Sequence, residues 1–274
     1  MGIKAADVAK LRKLTGVGMM DCKKALAETN GDFDKAIDYL REKGQKVASK
    51  RADREATEGV VLGRISKDKK YGVLLVLNCE TDFVAKNDDF VKLAHTFAEL
   101  ALEHKPANLD ELKALSFDGK TLEEHVVFQT GVIGEKLDLS YFDSIAAENV
   151  IAYTHTGNQL AALVGLNMDT EEQVGKDIAM QVAAMDPVAI DKDSVPAEVV
   201  ERELKVGKEQ ARQEGKPEKI LDKIAEGRLN KYFQENTLLN QAFIKDGKKS
   251  VGDYMNETSK DLKVVEFKRF TLNA

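Results

Sequence analysis

A stretch of this chain is written twice, and any fold it adopts must accommodate both copies. Leu77-Asn78-Cys79-Glu80-Thr81 returns as Leu166-Asn167-Met168-Asp169-Thr170. Ahead of these strand ends stand paired apolar runs: Val60 to Ile65 with Tyr71 to Cys79, and Val150 to Thr154 with Leu160 to Asn167. The polar segments between them, Ser66-Lys67-Asp68-Lys69-Lys70 and His155-Thr156-Gly157-Asn158, predict β-hairpins. A helical pattern follows each hairpin. Phe90, Leu93, Ala94, Phe97, Ala98 and Ala101 in the first copy recur at the spacing of a buried stripe, as do Val174, Ile178, Val182 and Ala183 in the second. Each copy then ends in a further strand-like run, Leu137 to Ile145 and Leu262 to Leu272. Two units of hairpin, helix and strand predict a duplicated α+β core built on antiparallel sheets.

The copies differ in length. Their strand ends pair at an offset of 89 (Asn167 with Asn78), but their helix stripes pair at 84 (Val174 with Phe90), so the first copy holds about five extra residues, roughly Asp82 to Lys86. The second copy forms its sheet and helix without them, so scaffold duty does not explain them. Phe83 stands in this surplus. A loop phenylalanine ordinarily tucks beneath its own loop as a small satellite cluster. A ring between Asp82 and Lys86, in a segment that the other copy omits, has instead the make-up of an interface anchor: apolar area for a partner's crevice, with charges at the rim.

Before the core, Val8, Leu11 and Leu14 repeat at helical spacing, Thr15-Gly16-Val17-Gly18 breaks the run, and Met19, Cys22, Ala25 and Leu26 resume it. Asn30-Gly31 closes that helix and Asp32 opens a third with Ala36, Ile37 and Leu40, reaching Lys43. Lys46, Lys50, Arg51 and Arg54 then read as a solvated basic linker. In the second copy Pro196 to Gln213 and Pro217 to Phe233 form two helical patterns joined by Glu214-Gly215-Lys216, a charged antiparallel hairpin with a thin apolar seam, expected to project from the body. The expected organisation is a helical domain with its linker over 1–55, a first core half over 56–146, and a second over 147–274 with the hairpin at 196–234 inserted.

Composition narrows the chemistry. With 41 Lys and Arg against 47 Asp and Glu the net charge is -6, which argues against nucleic acid or a membrane surface as the main partner. Two cysteines, Cys22 and Cys79, make no disulfide framework, no apolar run approaches a membrane span, and the Met-Gly-Ile-Lys start lacks a signal-peptide core. A cytoplasmic location is expected. No phosphate-cradling glycine motif occurs, and TGVGMMDCKK has its glycines and lysines in the wrong order, so no direct nucleotide binding is expected. His95, His104, His125 and His155 belong to no metal-ligand spacing, so neither metal nor cofactor is expected. Cys79 at a strand end reads as a small buried hydrophobe, and Asp82 with Lys86 lacks the third orienting group that an acid and base pair needs. The chain is expected not to be an enzyme.

LRKLTGVGMMDCKKAL (Leu11 to Leu26), NGDFDKAIDYLREKG and NCETDFVAKNDDF (Asn78 to Phe90) closely resemble the bacterial translation elongation factor Ts family. The likeness runs over essentially the whole chain. It implies a nucleotide-exchange factor for the GTPase elongation factor Tu, with N-terminal helices similar to a ubiquitin-associated domain. It also implies that Thr81, Asp82, Phe83 and Val84 intrude near the partner's nucleotide and dislodge its Mg²⁺. Arg12, Met19, Met20, Lys23 and His155 map onto family contact positions. Three places depart from the family pattern: Gln181 stands where histidine is frequent, Ala242 where proline is usual, and Leu139-Ser140-Tyr141 where arginines are common. Two other classes share some features. An adaptor with a ubiquitin-associated-like module would use the helices and the duplication but give Asp82 to Lys86 no duty, and a hydrolase would rest on Asp82, Lys86 and His95.

Overall fold

The structure is a computed structural model and describes residues 3–273. Three helices open it: α1 (Ala5–Thr15), α2 (Met19–Glu28) and α3 (Phe33–Arg51). Helix α1 stops at Gly16, whose φ of 70° puts it in the left-handed region that a side chain would strain, and whose N–H returns to the Arg12 carbonyl. Asp32 caps α3 by accepting from the Lys35 N–H. Val8, Leu11, Cys22, Ala25, Leu26, Ala36 and Leu40 are the buried faces of the three helices and form one small core. Burial of this apolar stripe, more than helix propensity, holds such short segments.

Helix α3 overruns the end read from the sequence. Lys46, Lys50 and Arg51 lie within it, so the expected basic linker is helical through Arg51. Gly44, one residue past the expected end, lies inside the helix and is a contact point. It faces Gly131 of α7 (Leu122–Ile133), where a Cβ added at position 131 would collide with the Gly44 Cα. Glycine here serves close backbone approach. From α7, Phe128 and Val132 pack against the small core of the first three helices.

The first repeat runs β1 (Glu58–Ile65), β2 (Tyr71–Cys79), α4 (Asp82–Ala85), α5 (Asp88–His104), α6 (Leu109–Ala114), the minimal hairpin β3 (Ser116–Phe117) and β4 (Lys120–Thr121), α7, and β5 (Asp138–Ala146). The second runs β6 (Asn149–Thr154), β7 (Leu160–Leu166), α8 (Glu172–Met185), the helical pair α9 (Ala197–Gln213) and α10 (Leu221–Asn236), β8 (Ala242–Phe243), β9 (Asp246–Ser250), α11 (Val251–Thr258) and β10 (Val264–Thr271). Their sheets have the same topology. The order is β1-β2-β5 in one and β6-β7-β10 in the other, with the second hairpin strand central and the repeat's last strand on its far side. In the second sheet both pairings are antiparallel, from Asn149↔Leu166 to Thr154↔Ala161 and from Val264↔Leu166 to Thr271↔Leu160. The central strands are buried almost end to end, as their unbroken apolar runs require.

The fold is therefore a duplicated α+β core with a helical N-terminal region and an inserted helical hairpin. Contacts divide the chain into two compact units: the chain up to Leu62 with Leu75–Phe142, and Gly63–Leu74 with the chain from Asp143 onward. In the first unit, Phe90, Ala94, Phe97, Ala98 and Ala101 are the buried stripe of α5. In the second, Val174, Ile178, Val182 and Ala183 of α8 join Val164, Leu166, Val251 and Met255 in one core. Helix α8 also carries a buried charge. Asp177 accepts from Lys245 Nζ (2.6 Å), Gln173 Nε2 (2.6 Å) and the Tyr254 hydroxyl (3.0 Å). Burial raises its pKa and these donors lower it; the donors prevail and hold it below the ordinary aspartate value. The Tyr254 phenol is pushed up to about 12, by burial first and by its bond to Asp177 second.

Candidate functional site

The surplus of the first repeat takes a definite shape. Asn87 caps α5 and Glu171 precedes α8, positions 84 apart like the helix stripes, so the extra residues fall before Asn87 and form α4. This helix is a single turn with no buried residue. Phe83 on it is 83% exposed, the most solvent-open large apolar side chain among the described residues. Beside it lies a groove of about 600 Å³ lined by Phe83, Val84, Phe90, Leu93, Val132 and Gly16 among others. The turn between α1 and α2 thus borders the same groove as the loop.

What anchors α4 is polar. The Thr81 side chain caps it, accepting from the Val84 N–H at 3.4 Å. Thr81 is itself held by one carboxylate: its N–H donates to Glu135 Oε2 (3.0 Å) and its hydroxyl to Glu135 Oε1 (2.7 Å). One residue earlier, Glu80 Oε1 accepts from the Lys136 backbone N–H and from Arg51 Nη1, each at 2.6 Å. The Lys136 N–H and then the Arg51 guanidinium hold the Glu80 carboxyl below its usual pKa against the opposing effect of burial. Lys136 Nζ in turn donates to the carbonyls of Ala52 (2.8 Å) and Arg54 (2.9 Å). On the exposed side Lys86 Nζ donates to Asp82 Oδ2 at 2.6 Å, one helical turn apart, lowering the Asp82 pKa and raising that of Lys86. Cys79 is buried with its thiol donating to the Thr81 carbonyl, and burial pushes its pKa up to about 12. A thiol so poised is no nucleophile at neutral pH.

The other sequence-predicted residues are distributed as follows. Met19 and Met20 open α2 and are 53% and 76% exposed. Arg12 and Lys23 are exposed on α1 and α2. Thr81, Asp82, Phe83 and Val84 and these four belong to the first unit. His155 belongs to the second, at the β6–β7 turn, exposed, with Nδ1 2.8 Å from the Tyr153 hydroxyl. Of the departures from the family pattern, Gln181 is fully buried; its Oε1 accepts from the Ile244 N–H (2.9 Å) and its Nε2 donates to Gln241 Oε1 and the Ala242 carbonyl (3.2 Å each). Leu139 is buried in β5 and Ser140 donates to Asn78. Among the described residues no group of three His, Cys, Asp or Glu side chains is arranged to hold a metal ion, and no helix is long and apolar enough to cross a membrane.

Glu135, Glu80 and Arg51 were not legible as site residues. Glu135 is 54 positions from Thr81, and no local pattern announces a pairing at that range. One nearby signal exists: Thr121-x-x-Glu124 is a capping box, realised in full at the start of α7, which places a helix before Gly134-Glu135-Lys136.

Known proteins resemble the chain throughout. The family model described as Elongation factor TS matches residues 80–274. Among curated relatives, elongation factor Ts of Amoebophilus asiaticus is 50% identical over 277 residues, covering 100% of both chains. That of Christiangramia forsetii is 49% identical over 272 residues, 98% of each, and that of Porphyromonas gingivalis 49% over 276 residues, 100% of each. The family match begins at Glu80, the first clamped residue before α4, and the relatives extend the likeness through the N-terminal helices: the chain belongs to the elongation factor Ts family of translation elongation factors.

Proposed function

We propose that this chain is the guanine nucleotide-exchange factor for elongation factor Tu, and that Phe83 is the group that disturbs the GTPase's magnesium and phosphate site. Family membership supports the partner. The observation that carries the mechanism is an 83% exposed phenylalanine on an anchored one-turn helix, in a segment that the second repeat does without. Bound GDP is held by phosphate contacts and by Mg²⁺ neutralising its oxygens, so displacing the ion weakens all of these contacts together. Phe83 wedges between helices of the GTPase near that ion, with Thr81 and Val84 shaping the turn behind it. Asp82, oriented by Lys86, meets the positive end of a partner helix.

One ring is too small to do this alone. Binding free energies are reciprocal, so the factor weakens nucleotide as much as nucleotide weakens the factor, and a 10⁴-fold effect needs about 5.5 kcal/mol of differential binding. A hot-spot aromatic supplies about 2 kcal/mol of that. A wide footprint supplies the remainder, with Arg12, Met19, Met20 and Lys23 on the N-terminal helices and His155 on the second half as its contacts. No covalent bond is made or broken, so the activity is exchange and not chemistry, and it needs no cofactor, nucleic acid or membrane. Its setting is the cytoplasm.

The test is direct. Elongation factor Tu is loaded with fluorescent GDP and chased with unlabelled nucleotide, with and without this chain. Accelerated decay is expected; an unchanged decay at factor concentrations that saturate binding would leave an adaptor as the better reading.

A further inference from the structure

We infer that Glu135 is a positioning residue for exchange: with Glu80 it fixes the one-turn helix that carries Phe83, so that the ring is presented already oriented. This rests on the exchange reading above. Four residues with no buried side chain cannot hold a helical turn by propensity or apolar packing, since nucleating a turn is unfavourable. The turn exists because its cap is held. Both oxygens of Glu135 receive a donor from Thr81, one from the N–H and one from the hydroxyl. With its proton committed to the carboxylate, the hydroxyl has its lone pairs left for the Val84 N–H, which it accepts. The carboxylate therefore sets the orientation of the cap, and the cap sets the turn.

Glu80 makes the joint reciprocal. Thr81 donates to Glu135, and Lys136, the residue after Glu135, donates its N–H to Glu80. Arg51 adds the end of α3 to the same carboxylate, and Lys136 Nζ adds the two carbonyls beyond it. Bonds to ionised carboxylates are the strong kind, and here they converge on two consecutive residues, Glu80 and Thr81, immediately ahead of the turn that carries the ring. A ring on a mobile loop tip would have to be ordered during insertion into the partner; on this anchored turn the ordering cost falls on folding instead. Among the residues expected to meet the partner, it is Thr81 that donates to Glu135, so the carboxylate acts through the turn.

The full-length chain tests this in the fluorescent GDP chase, read across factor concentrations. The variants are Glu135→Ala, Glu135→Gln and Thr81→Val, with Glu135→Ala also made on a Phe83→Ala background. Glu135→Ala is expected to lower the maximal release rate about tenfold, the scale of a lost charge-assisted hydrogen bond. Its half-saturating concentration is expected to move less than about twofold, because the wide footprint is untouched. Thr81→Val, which removes the hydroxyl that links the carboxylate to the Val84 N–H, should match it. On the Phe83→Ala background the Glu135 change should add nothing, as expected of residues acting as one unit. A full maximal rate in folded Glu135→Ala overturns the inference, and so does an undiminished Glu135 effect without the Phe83 ring, which marks a general structural role. Should Glu135→Ala not fold, Glu135→Gln, which keeps the shape and one acceptor, carries the same comparison. Amide hydrogen exchange supplies a readout independent of the partner: faster exchange confined to residues 81–86 is expected, and unchanged protection there overturns the inference. A wild-type chain that fails to accelerate GDP release sinks the exchange reading instead, while the amide measurement still decides whether Glu135 orders α4.

Discussion

The two strand-to-helix junctions of the core are the same problem solved at different lengths. In the second half the chain leaves β7 at Leu166 and enters α8 at Glu172 with nothing between but polar tethers: Asn149 donates to Asp169, and Asn167 exchanges bonds with the backbone of Asp261 and Lys263. In the first half the chain runs from Cys79 to Asp88 and inserts α4, with its cap bound to Glu135 and its aromatic side chain in solvent. Both halves have the same sheet order, so the added turn is not what makes the sheet. What the second half lacks is a place to display a side chain. The difference separates the residues a frame needs from those added to it for use.

The largest effect comes from erasing that difference. Deleting Asp82 to Lys86 gives the first junction the helix offset of the second, since Asn87 and Glu171 then stand at equivalent places. We expect GDP release from elongation factor Tu to fall further than on loss of the ring alone, leaving only what the wide footprint supplies, while circular dichroism and cooperative melting are kept. A deletion variant that accelerates release as fast as the intact chain would remove α4 from the mechanism and favour the adaptor. Next in size is Phe83→Ala. It leaves the frame intact, because the ring is in solvent, and should cost about 2 kcal/mol of the exchange effect, a release rate roughly 30-fold lower at unchanged melting temperature.

The same comparison explains what the sequence disclosed. The duplicated strands and stripes have local signatures, so hairpins, helices and closing strands are found close to where periodicity puts them: the run Tyr71 to Cys79 is β2, and Leu160 to Asn167 is β7 within one residue. The surplus was legible because a repeat carries its own control: the offset changes from 89 to 84 between strand and helix. The end of the third helix was misplaced: the apolar spacing carries it to Lys43, whereas in the structure Gly44 lies inside the helix, meets Gly131 of a helix 87 residues further on, and α3 continues to Arg51. The anchoring of Thr81 by Glu135 was equally out of reach, because it joins two polar residues that no hydrophobic period marks. Propensity and period describe what a segment buries; they say nothing of which distant carboxylate finds a cap.

The halves also differ in how their helices are held, and this gives a third, smaller effect. At the offset of 84, Asp177 of α8 corresponds to Leu93 of α5, so a buried charge network in one half stands where the other has an apolar residue. Asp177→Asn should destabilise the second unit by about 1–2 kcal/mol, the range for lost bonds to a charged group after allowing for the half-exposed Lys245 ammonium. The pH dependence has a definite sign. A carboxylate whose pKa is depressed on folding adds stability that is fully present above its ordinary value, 3.8 for this aspartate, and is lost as pH falls through the lower folded value. The stability gap between wild type and Asp177→Asn, measured by denaturant titration, should therefore be constant from pH 5 to 8 and close in stronger acid. A gap that persists at acid pH would mean that the side chain's shape and not its charge is what α8 requires.

The smallest effect tests whether the rim charges of the added turn hold it or only decorate it. Lys86 is exposed and Asp82 half-buried, and their pair lies along one turn of α4, with the Glu58 carboxylate attracting the same ammonium more weakly. Such pairs are screened and contribute little, whereas Thr81 is bound by both oxygens of a less exposed carboxylate. If Glu135 holds the turn, Lys86→Ala should leave the melting temperature unchanged and lower GDP release by less than about twofold. Raising the salt concentration should erase even that remainder, since it reflects steering of Asp82 and not the shape of α4. A tenfold loss that survives in high salt would place Lys86 itself in direct contact with the GTPase, and the turn would then be read as a charged surface with a ring in it instead of a ring on a rigid mount.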